Sequence, residues 1–414
     1  MNTSGDHRLR KLARREFVVA QERVYLNTGS VGPMSKVLFE GMAHFNRQEH
    51  LQGRVGLDHT VHYLEAKQRL RAVYARLLGA DPDEIALTQN TTVGMNSVAH
   101  GLNWQPGDEV VTTSLEHEGG LLPAYVLHRR YEIGLHVVEL DHDDDPVTML
   151  AKIEAAMSRR TRLLIFSHVA WNTGAVLPMD EIVELAHRYG ALALVDAAQS
   201  AGAIAVDVHA SGVDGYAVAG QKWLCGPEGT GALYVRRDRL DDIAPTYAGY
   251  YTVGDPSNYD MDGQFTAVSG AARYEISSVH KPSLMAQDAH LCWLESRFGW
   301  PWIYHRIAEL YRYAYERLSA LDGATVLSPA PPQAGLLTFV LPSYDPARVT
   351  AYLEANDIII RYLPRPYSLR VSTGFYNDED DIDRLVETLA EVLAMDPDQL
   401  PEFVPPAERV RPQP

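Results

Sequence analysis

Cysteine is scarce in this sequence, which has only Cys225 and Cys292 among its 414 residues. A disulfide framework is therefore not expected, and neither is a zinc site built from several cysteines. Basic charge is also in short supply, with 37 lysines and arginines against 54 aspartates and glutamates and a net charge of -17. Nucleic acids and anionic membranes bind basic surfaces, so neither is expected as the main partner.

Long apolar runs are missing too, and no stretch of the sequence is apolar for long enough to cross a bilayer. The N-terminal region does not have the charged-then-apolar layout of a signal peptide, so we expect a cytoplasmic protein. Hydrophobic residues make up 46% of the chain and charged residues 22%, as is ordinary for a soluble enzyme. The length of 414 residues suits one large domain and a smaller one.

Short apolar segments alternate with helical patterns through the middle of the chain. The predicted strands are residues 85–87, 109–111, 137–140, 163–166, 192–195, 216–218 and 233–235. Several are apolar throughout, as expected of parallel strands that are covered on both faces. The alternation predicts an α/β domain with a mostly parallel seven-stranded central sheet and helices on both faces. In such a sheet the ligand binds beyond the carboxyl ends of the strands.

The domain organisation follows from changes in this pattern. Residues 31–284 are predicted to form the large domain. Residues 1–30 are predicted to pack with the small domain, although the polar and basic residues 1–24 indicate a loosely held lead-in. Residues 285–395 are predicted to form a smaller α+β domain, with a long helical region at 291–321 and a last helix capped near Asn377. The proline-rich residues 396–414 are predicted to be extended.

Lys222 is the first candidate for chemistry. It lies between a predicted strand and a glycine-rich turn, and apolar Trp223 and Leu224 follow it directly. A desolvated lysine has a lowered pKa and is suited to forming a Schiff base. The alternative is a lysine at a strand edge whose ammonium group reaches solvent.

Other polar residues lie just after predicted strands. Thr91 and Thr92 open a helix, where they either bind a phosphate or serve as an ordinary cap. His117 suits stacking on a ring or proton transfer, with a structural role as the alternative. Asp196 ends an apolar strand, where it either pairs with a buried cationic ring nitrogen or forms a turn with Gln199 and Ser200.

Two further charged features lie outside this series. Arg370 closes a predicted strand of the small domain, and its planar guanidinium matches a carboxylate. The alternative for Arg370 is a surface ion pair with the acidic run that follows. The acidic residues 141–145 are interpreted as a solvated loop, so no metal site is predicted.

Taken in order, these motifs resemble the class V aminotransferase family of pyridoxal-phosphate (PLP) enzymes. The family includes cysteine desulfurases, C–S lyases, kynureninase and isopenicillin N epimerase-like proteins. The matching motifs are a Thr-Thr turn, a Glu-His pair, an Asp with a Gln three residues later, a Gly-x-Lys-Trp segment before a glycine-rich turn, and a late Arg-Val-Ser. The resemblance covers about residues 24–394. It implies PLP fold type I, PLP as cofactor, a small amino-acid substrate, and a homodimer with the active site at the interface.

The resemblance also implies roles for individual residues. Lys222 is expected to form the Schiff base with PLP and to remove the Cα proton of the substrate. Asp196 is expected to pair with the pyridine nitrogen, Gln199 to contact the 3-oxygen, and His117 to stack on the ring. The residues expected to bind the phosphate are Thr91, Thr92, Gln221 and, across the dimer, Ser278. The residues expected to bind the substrate are Arg370, through its α-carboxylate, and Asn27, Trp171, Tyr250 and Tyr251 as pocket walls.

Departures from the family pattern narrow the expected reaction. Cysteine desulfurases carry a nucleophilic cysteine on a loop before the carboxylate-binding arginine, whereas no cysteine follows Cys292 here. Ala219 replaces a common phosphate-binding serine, so the phosphate is expected to depend more on Gln221 and Thr92. The resemblance therefore implies C–S β-elimination from a cysteine-type substrate without a protein persulfide. Epimerisation and transamination by the same family are the alternatives.

Overall fold

The structure is a computed structural model that describes residues 3–405. The helices are α1 (Thr3–Glu16), α2 (Val19–Glu22), α3 (Lys36–Gln52), α4 (Leu57–Leu78), α5 (Thr91–Gly101), α6 (Glu118–Tyr131), α7 (Pro146–Ala156), α8 (Met179–Tyr189), α9 (Val208–Ser211), α10 (Tyr250–Val253), α11 (Lys281–Arg297), α12 (Trp300–Ser319), α13 (Pro346–Ala355) and α14 (Glu379–Leu393). The strands are β1 (Val24–Tyr25), β2 (Ile85–Thr88), β3 (Glu109–Thr113), β4 (Gly134–Val138), β5 (Thr161–Ser167), β6 (Leu192–Asp196), β7 (Gly215–Ala219), β8 (Gly231–Val235), β9 (Thr325–Val326), β10 (Leu336–Val340), β11 (Ile358–Ile359), β12 (Arg361–Pro364) and β13 (Tyr367–Ser372).

The chain divides into two compact units, of which the larger comprises Val31–Trp171 and Ala175–His305. Its sheet, between residues 85 and 235, has seven strands in the order β2-β8-β7-β6-β5-β3-β4. Strands β7, β6, β5, β3 and β4 pair in parallel, whereas β8 is antiparallel to both of its neighbours. The predicted α/β architecture with a mostly parallel seven-stranded sheet is confirmed.

The apolar strands build the core of this unit. Residues of β5 and β6, such as Leu163 and Leu194, pack with Val98 of α5 and Leu127 of α6 in one buried cluster. The fourth strand lies at Gly134–Val138 rather than at the predicted 137–140. Strand β4 is the edge strand of the sheet and most of its residues are partly exposed, so no continuous apolar run marks it.

The predicted long helix at 291–321 is two helices. Helix α11 ends at Arg297 and α12 begins at Trp300, and Gly299 between them has a φ of 73°, which favours glycine. Helix α11 packs against α3 and α4 in the larger unit. For that reason the division between the units falls between His305 and Arg306, whereas the predicted boundary was at residue 285.

The smaller unit comprises Met1–Ser30, Asn172–Gly174 and Arg306–Pro414. It has an antiparallel four-stranded sheet in the order β12-β13-β10-β9, and β1 pairs in parallel with β11. Helices α12, α13 and α14 contribute Leu310, Val349 and Leu385 to a buried cluster with Phe339 and Leu369 of the sheet. The predicted smaller α+β domain is confirmed.

The N-terminal residues form a helix rather than a loosely held lead-in. In α1, Arg10 forms ion pairs with Glu309 and Glu379, and Arg14 forms one with Asp381. Ala13 is fully buried on the same helix, but a single alanine in a polar sequence gives little periodicity to detect. No helix within residues 3–405 is both long and apolar enough to cross a membrane.

The C-terminal end differs slightly from the prediction. The cap of α14 is Asp378, one residue after the predicted Asn377, because the Asp378 carboxylate accepts the N–H of Asp381. The predicted extended segment 396–414 contains a short 3-10 helix at Pro397–Gln399. Residues 406–414 of that segment lie outside the described part of the chain.

Candidate active site

The predicted site residues of the larger unit gather at the carboxyl edge of its sheet. Asp196 is the last residue of β6, and Lys222 lies in the turn after β7. His117 is the N-cap of α6, which follows β3, and Thr91 is the first residue of α5, which follows β2. Since these strands run in the same direction, their carboxyl ends bring residues distant in sequence to one edge.

Helix α5 offers a site for an anion at its N-terminus. Asn90 caps the helix by accepting the N–H of Val93 at 2.9 Å. The Thr91 hydroxyl oxygen is buried and has no hydrogen-bond partner among the described residues. The Thr92 hydroxyl lies 2.5 Å from where a side chain on Gly119 would begin, so only glycine leaves this space open. The N-terminus of an eleven-residue helix with two hydroxyls suits a phosphate.

Asp196 is buried and uses one carboxylate oxygen locally. Its Oδ1 accepts the N–H of Ala198 at 2.8 Å, so the turn bond found here is to Ala198, whereas the turn alternative named Gln199 and Ser200. Asp196 is 5% exposed, and the donor found for its carboxylate among the described residues is the uncharged Ala198 N–H. A buried carboxylate without a counter-charge is costly, so the second oxygen suits a cationic ring nitrogen. The two alternatives for Asp196 are therefore compatible.

Gln199 is oriented by Trp223. The position of Trp223 next to Lys222 in the sequence did not predict this role. The Trp223 indole N–H donates to Gln199 Oε1 at 2.8 Å, and both residues are buried. The indole N–H can only donate, so it fixes the carbonyl oxygen of Gln199 on its own side. The amide NH₂ of Gln199 is then directed away as a donor, which suits a phenolate oxygen.

The turn that carries Lys222 is closely packed. Strand β7 lies between β6 and β8, so Lys222 lies beyond the end of an inner strand and not at a strand edge. Its carbonyl accepts the N–H of Cys225 at 2.9 Å, and Gln221 O accepts the N–H of Gly32 at 2.7 Å. The Gln221 Oε1 atom is buried without a partner among the described residues, which leaves it available to a bound group.

His117 and Trp171 lie against each other. The His117 Nδ1 atom accepts the N–H of Gly119 at 3.1 Å, which fixes the ring over the start of α6. The rings of His117 and Trp171 meet edge to face, with centroids 5.3 Å apart and an interplanar angle of 86°. A fixed imidazole next to an indole can form the wall of a pocket for a planar ring.

Tyr250, Tyr251 and Ser278 form a second group in the larger unit. The Tyr250 hydroxyl lies 2.8 Å from Ser278 Oγ, and both side chains are exposed. The Tyr251 ring lies 3.8 Å from the Lys67 ammonium, which is itself 2.5 Å from the Glu275 carboxylate. Ser278 therefore presents its hydroxyl at the surface of this unit, next to an aromatic side chain.

Arg370 and Asn27 belong to the smaller unit. Arg370 lies in β13, is fully buried, and donates from Nη2 to Ser30 Oγ at 3.0 Å. Ser30 in turn donates to Asn27 Oδ1 at 2.7 Å. Burial and the nearby Arg361 lower the pKa of Arg370 to about 9. A buried guanidinium of this kind is suited to binding a carboxylate.

The alternative for Arg370, a surface ion pair with the acidic run, is wrong because Arg370 has no exposed surface. The acids of that run pair instead with other arginines of the smaller unit, since Glu379 bonds Arg306 and Asp381 bonds Arg14. In the other acidic run, Lys152 bonds both Asp141 and Asp144. Asp145 of the same run caps α7.

The sequence is similar to known proteins over most of its length. The family model described as aminotransferase class-V matches residues 24–385. A probable cysteine desulfurase from Methanothermobacter thermautotrophicus is 30% identical over 398 residues, which cover 92% of this chain and 98% of the relative. Isopenicillin N epimerase from Streptomyces clavuligerus is 30% identical over 391 residues, which cover 91% of this chain and 96% of the epimerase.

The fold is similar to solved structures of C-DES. A lysine-to-alanine mutant of C-DES with glycine covalently linked to the PLP cofactor is 29% identical, with a TM-score of 0.85. The complex of the cystine C–S lyase C-DES with its reaction product cysteine persulfide is also 29% identical, with a TM-score of 0.84. Both alignments cover 91% of this chain and 99% of the other.

The residues at the carboxyl edge fit PLP. The α5 N-terminus and the open Thr91 hydroxyl suit the phosphate, the buried Asp196 suits the ring nitrogen, and the Gln199 amide suits the ring oxygen. Lys222, in the turn after β7, carries a primary amine of the kind that suits a Schiff base with PLP. With the match over residues 24–385, these features lead to one conclusion: the chain belongs to the aminotransferase class-V family and is a PLP-dependent enzyme of fold type I.

Proposed function

We propose that this enzyme cleaves the C–S bond of a cysteine-type amino acid by β-elimination, without forming a persulfide on the protein. The observation that carries the proposal is the absence of a cysteine anywhere after residue 292 in a chain that is similar to both cysteine desulfurases and a cystine C–S lyase. A desulfurase with a protein persulfide needs a nucleophilic thiol, whereas elimination needs only a base and an electron sink.

The two cysteines present are poor nucleophiles. Cys225 is buried, and burial raises the pKa of its thiol well above the ordinary value. Cys292 is half-buried in α11, where burial and the Asp288 carboxylate raise the pKa of its thiol. The thiolate is the reactive form, and both thiols are therefore mainly protonated at neutral pH.

The roles of the other residues follow from their chemistry. PLP, when bound, withdraws the electron pair that is left at Cα. Lys222 removes the Cα proton as a general base, and Asp196 Oδ2 holds the proton on the ring nitrogen. Gln199 donates to the ring oxygen, His117 covers one ring face, and Arg370 binds the substrate α-carboxylate. The phosphate is held by Thr91, Thr92, Gln221 and the Ser278 of a second subunit.

The proposal is tested by incubating the holoenzyme with cystine, cysteine and S-substituted cysteines while pyruvate, ammonia, sulfide, keto acids and chirality are followed. We expect pyruvate and ammonia in equal amounts. A variant in which both Cys225 and Cys292 are replaced by alanine should keep this activity. Its loss would indicate a protein thiol in the mechanism.

The lysine is tested separately by the visible absorption of the bound cofactor. We expect Lys222→Ala to lose the visible band and the activity, because the amine that bonds PLP is gone. Lys36→Ala, at an exposed position of α3, is the matched control and should keep both. A visible band that survives in Lys222→Ala would exclude Lys222 as the bonding residue.

Epimerisation is the second candidate, because isopenicillin N epimerase of Streptomyces clavuligerus is 30% identical to this chain. The same screen separates it from elimination. Racemised amino acid without pyruvate would favour the epimerase, and a keto acid with the aminated cofactor would favour transamination.

We also propose a homodimer in the cytoplasm. Seven large apolar side chains within residues 34–64 of the larger unit are exposed, and we expect a second copy to cover them: Met34, Phe39, Leu51, Val55, Leu57, Val61 and Leu64. Val55→Glu, at a valine that is 85% exposed, should then give monomers in light scattering, whereas Val147→Glu, at a valine of α7 that is 76% exposed, should not. The two cysteines are unpaired, as is usual in a reducing compartment, and cell fractionation tests the location.

A further inference from the structure

Glu116 is a buried carboxyl group to which none of the roles above assigns a function. It follows β3 and precedes the N-cap His117. Three donors surround it: the Thr113 hydroxyl reaches Oε1 at 2.7 Å, the Ser167 N–H reaches Oε1 at 3.0 Å, and the Ser167 hydroxyl reaches Oε2 at 2.7 Å. A carboxyl group with three donors is held in one orientation.

The carboxyl groups of Glu116 and Asp196 both lie close to Gly120. A side chain on Gly120 would begin 3.4 Å from Glu116 Oε2 and 3.7 Å from Asp196 Oδ2, with the Met95 methyl at 3.8 Å. Asp196 Oδ1 is engaged by the Ala198 N–H, so Oδ2 is the oxygen that remains for a ligand. The Asp196 oxygen that remains for a ligand is therefore the one that lies close to Gly120, as Glu116 Oε2 does.

The titratable groups nearest to Glu116 are Asp196, His168 and the adjacent His117, whose Nδ1 accepts the Gly119 N–H and whose Nε2 lies 3.3 Å from the Glu118 carboxylate. Thr113 of β3, Ser167 of β5, and Gly120 of α6 carry no charge, and Asp196 of β6 is the charged group that acts on Glu116. His168 follows Ser167, but burial lowers its pKa to about 4 and its Nδ1 lies 3.0 Å from the Tyr216 hydroxyl. His168 is thus neutral near neutral pH. The second charge that acts near Asp196 is therefore that of the Glu116 carboxylate.

We propose that Glu116 is a positioning residue whose carboxylate strengthens the bond between Asp196 and the protonated ring nitrogen of PLP. Two negative charges attract the ring proton more strongly than one, and both are out of water, where screening is weak. The inference rests on the proposed pairing of Asp196 with the ring nitrogen. Because residue 120 is glycine, it places no side chain next to the two carboxyl groups.

The charge of Glu116 changes near neutral pH. Burial raises its pKa to about 7, against the lowering effect of the bonds from Ser167 and Thr113, and the Asp196 charge raises it further. A cationic ring nitrogen favours the ionised form, so binding of the cofactor releases a proton from Glu116. By linkage, the affinity for the cofactor rises as the pH increases through this range.

The experiment measures the dissociation constant of pyridoxamine 5'-phosphate for the full-length apoenzyme as a function of pH. This probe has no aldehyde, so Lys222 forms no bond to it. We expect the affinity of the wild type relative to Glu116→Gln to rise about tenfold between about pH 6 and 8, where tenfold corresponds to 1.4 kcal/mol. The glutamine cannot ionise and keeps one acceptor oxygen, which can serve the Thr113 hydroxyl and the Ser167 N–H, while its NH₂ group can donate to the Ser167 hydroxyl.

A pair of neighbouring threonines provides a matched test. Thr113→Val removes a bond that lowers the pKa of Glu116, so the rise in affinity should move to higher pH. Thr112→Val should not move it, because the Thr112 hydroxyl is buried in the same strand without a partner among the described residues. This arm holds even if Glu116→Gln fails to fold.

Equal pH profiles for the wild type and Glu116→Gln, or for the two threonine variants, would overturn the role of Glu116. Asp196→Asn separates this failure from that of the underlying role. If Asp196→Asn binds the probe as tightly as the wild type at every pH, the pairing of Asp196 with the ring nitrogen fails, and Glu116 loses its function with it.

Discussion

Replacing Gly32 by alanine should displace the turn that carries Lys222. The added Cβ would lie 2.1 Å from the Lys222 carbonyl oxygen and 2.9 Å from Cys225 Sγ. The carbonyl is backbone and its oxygen already accepts the Cys225 N–H, so it cannot rotate away as a side chain would. Overpacking of this kind costs about 1–3 kcal/mol, and the strain falls on Lys222, the residue proposed to bond the cofactor.

The prediction is measured by the thermal unfolding midpoint and by the visible absorption of bound cofactor per mole of protein. Gly32→Ala should lower both. Gly41→Ala, inside helix α3, is the control. Its Cβ would lie 3.4 Å from the Ala286 Cβ of α11, and replacing a helical glycine by alanine stabilises the fold by about 0.5–1 kcal/mol. Equal midpoints and cofactor contents for Gly32→Ala and the wild type would refute the argument.

Two further predictions concern buried hydrogen bonds. Trp223→Phe keeps an aromatic ring but removes the indole N–H that donates to Gln199 Oε1, so we expect roughly tenfold weaker cofactor binding, which corresponds to about 1.4 kcal/mol; unchanged affinity in a cofactor titration would contradict it. His290 is buried between Ser35 and the Leu224 carbonyl, and burial lowers its pKa from 6.5 to about 4. Neutral His290 contributes stability that is fully present above pH 6.5, and the free energy of unfolding should fall by roughly 3 kcal/mol as the pH falls from 6.5 to 4. A His290→Gln variant should show a flatter profile of denaturation midpoint against pH. Parallel profiles for the variant and the wild type would contradict this prediction.

The sequence was sufficient to predict the sheet and the positions just after its strands. Buried parallel strands are apolar throughout, so β3, β5, β6 and β7 were visible as short apolar runs, and the polar residues after them were natural candidates. The edge strand β4 and the helix α1 were not predicted correctly, because their exposed faces dilute the apolar pattern.

The contacts that orient the site residues could not be predicted in this way. Glu116 is fixed by Ser167, 51 residues away, and Gln199 is oriented by Trp223, 24 residues away. Gly32 reaches the Lys222 turn only because the chain folds back against it. No periodicity records such contacts, since they depend on the register of strands that are distant in the sequence. The one local sign of Glu116 was a carboxyl residue in the short segment between the end of β3 at Thr113 and the start of α6 at Glu118.

The protonation state of the two cysteine thiols affects whether the protein can accept the sulfur of the substrate. A persulfide on the protein requires a thiolate that can reach the substrate sulfur, and burial raises the pKa of the thiols of both Cys225 and Cys292, which disfavours their thiolate forms. Cys225 also lies in the tight turn after Lys222 with a φ of 51°, so its backbone cannot move without moving the lysine. Sulfur released by β-elimination would then have no acceptor on the enzyme and would leave with the small-molecule product, as in the cystine C–S lyase complex with cysteine persulfide.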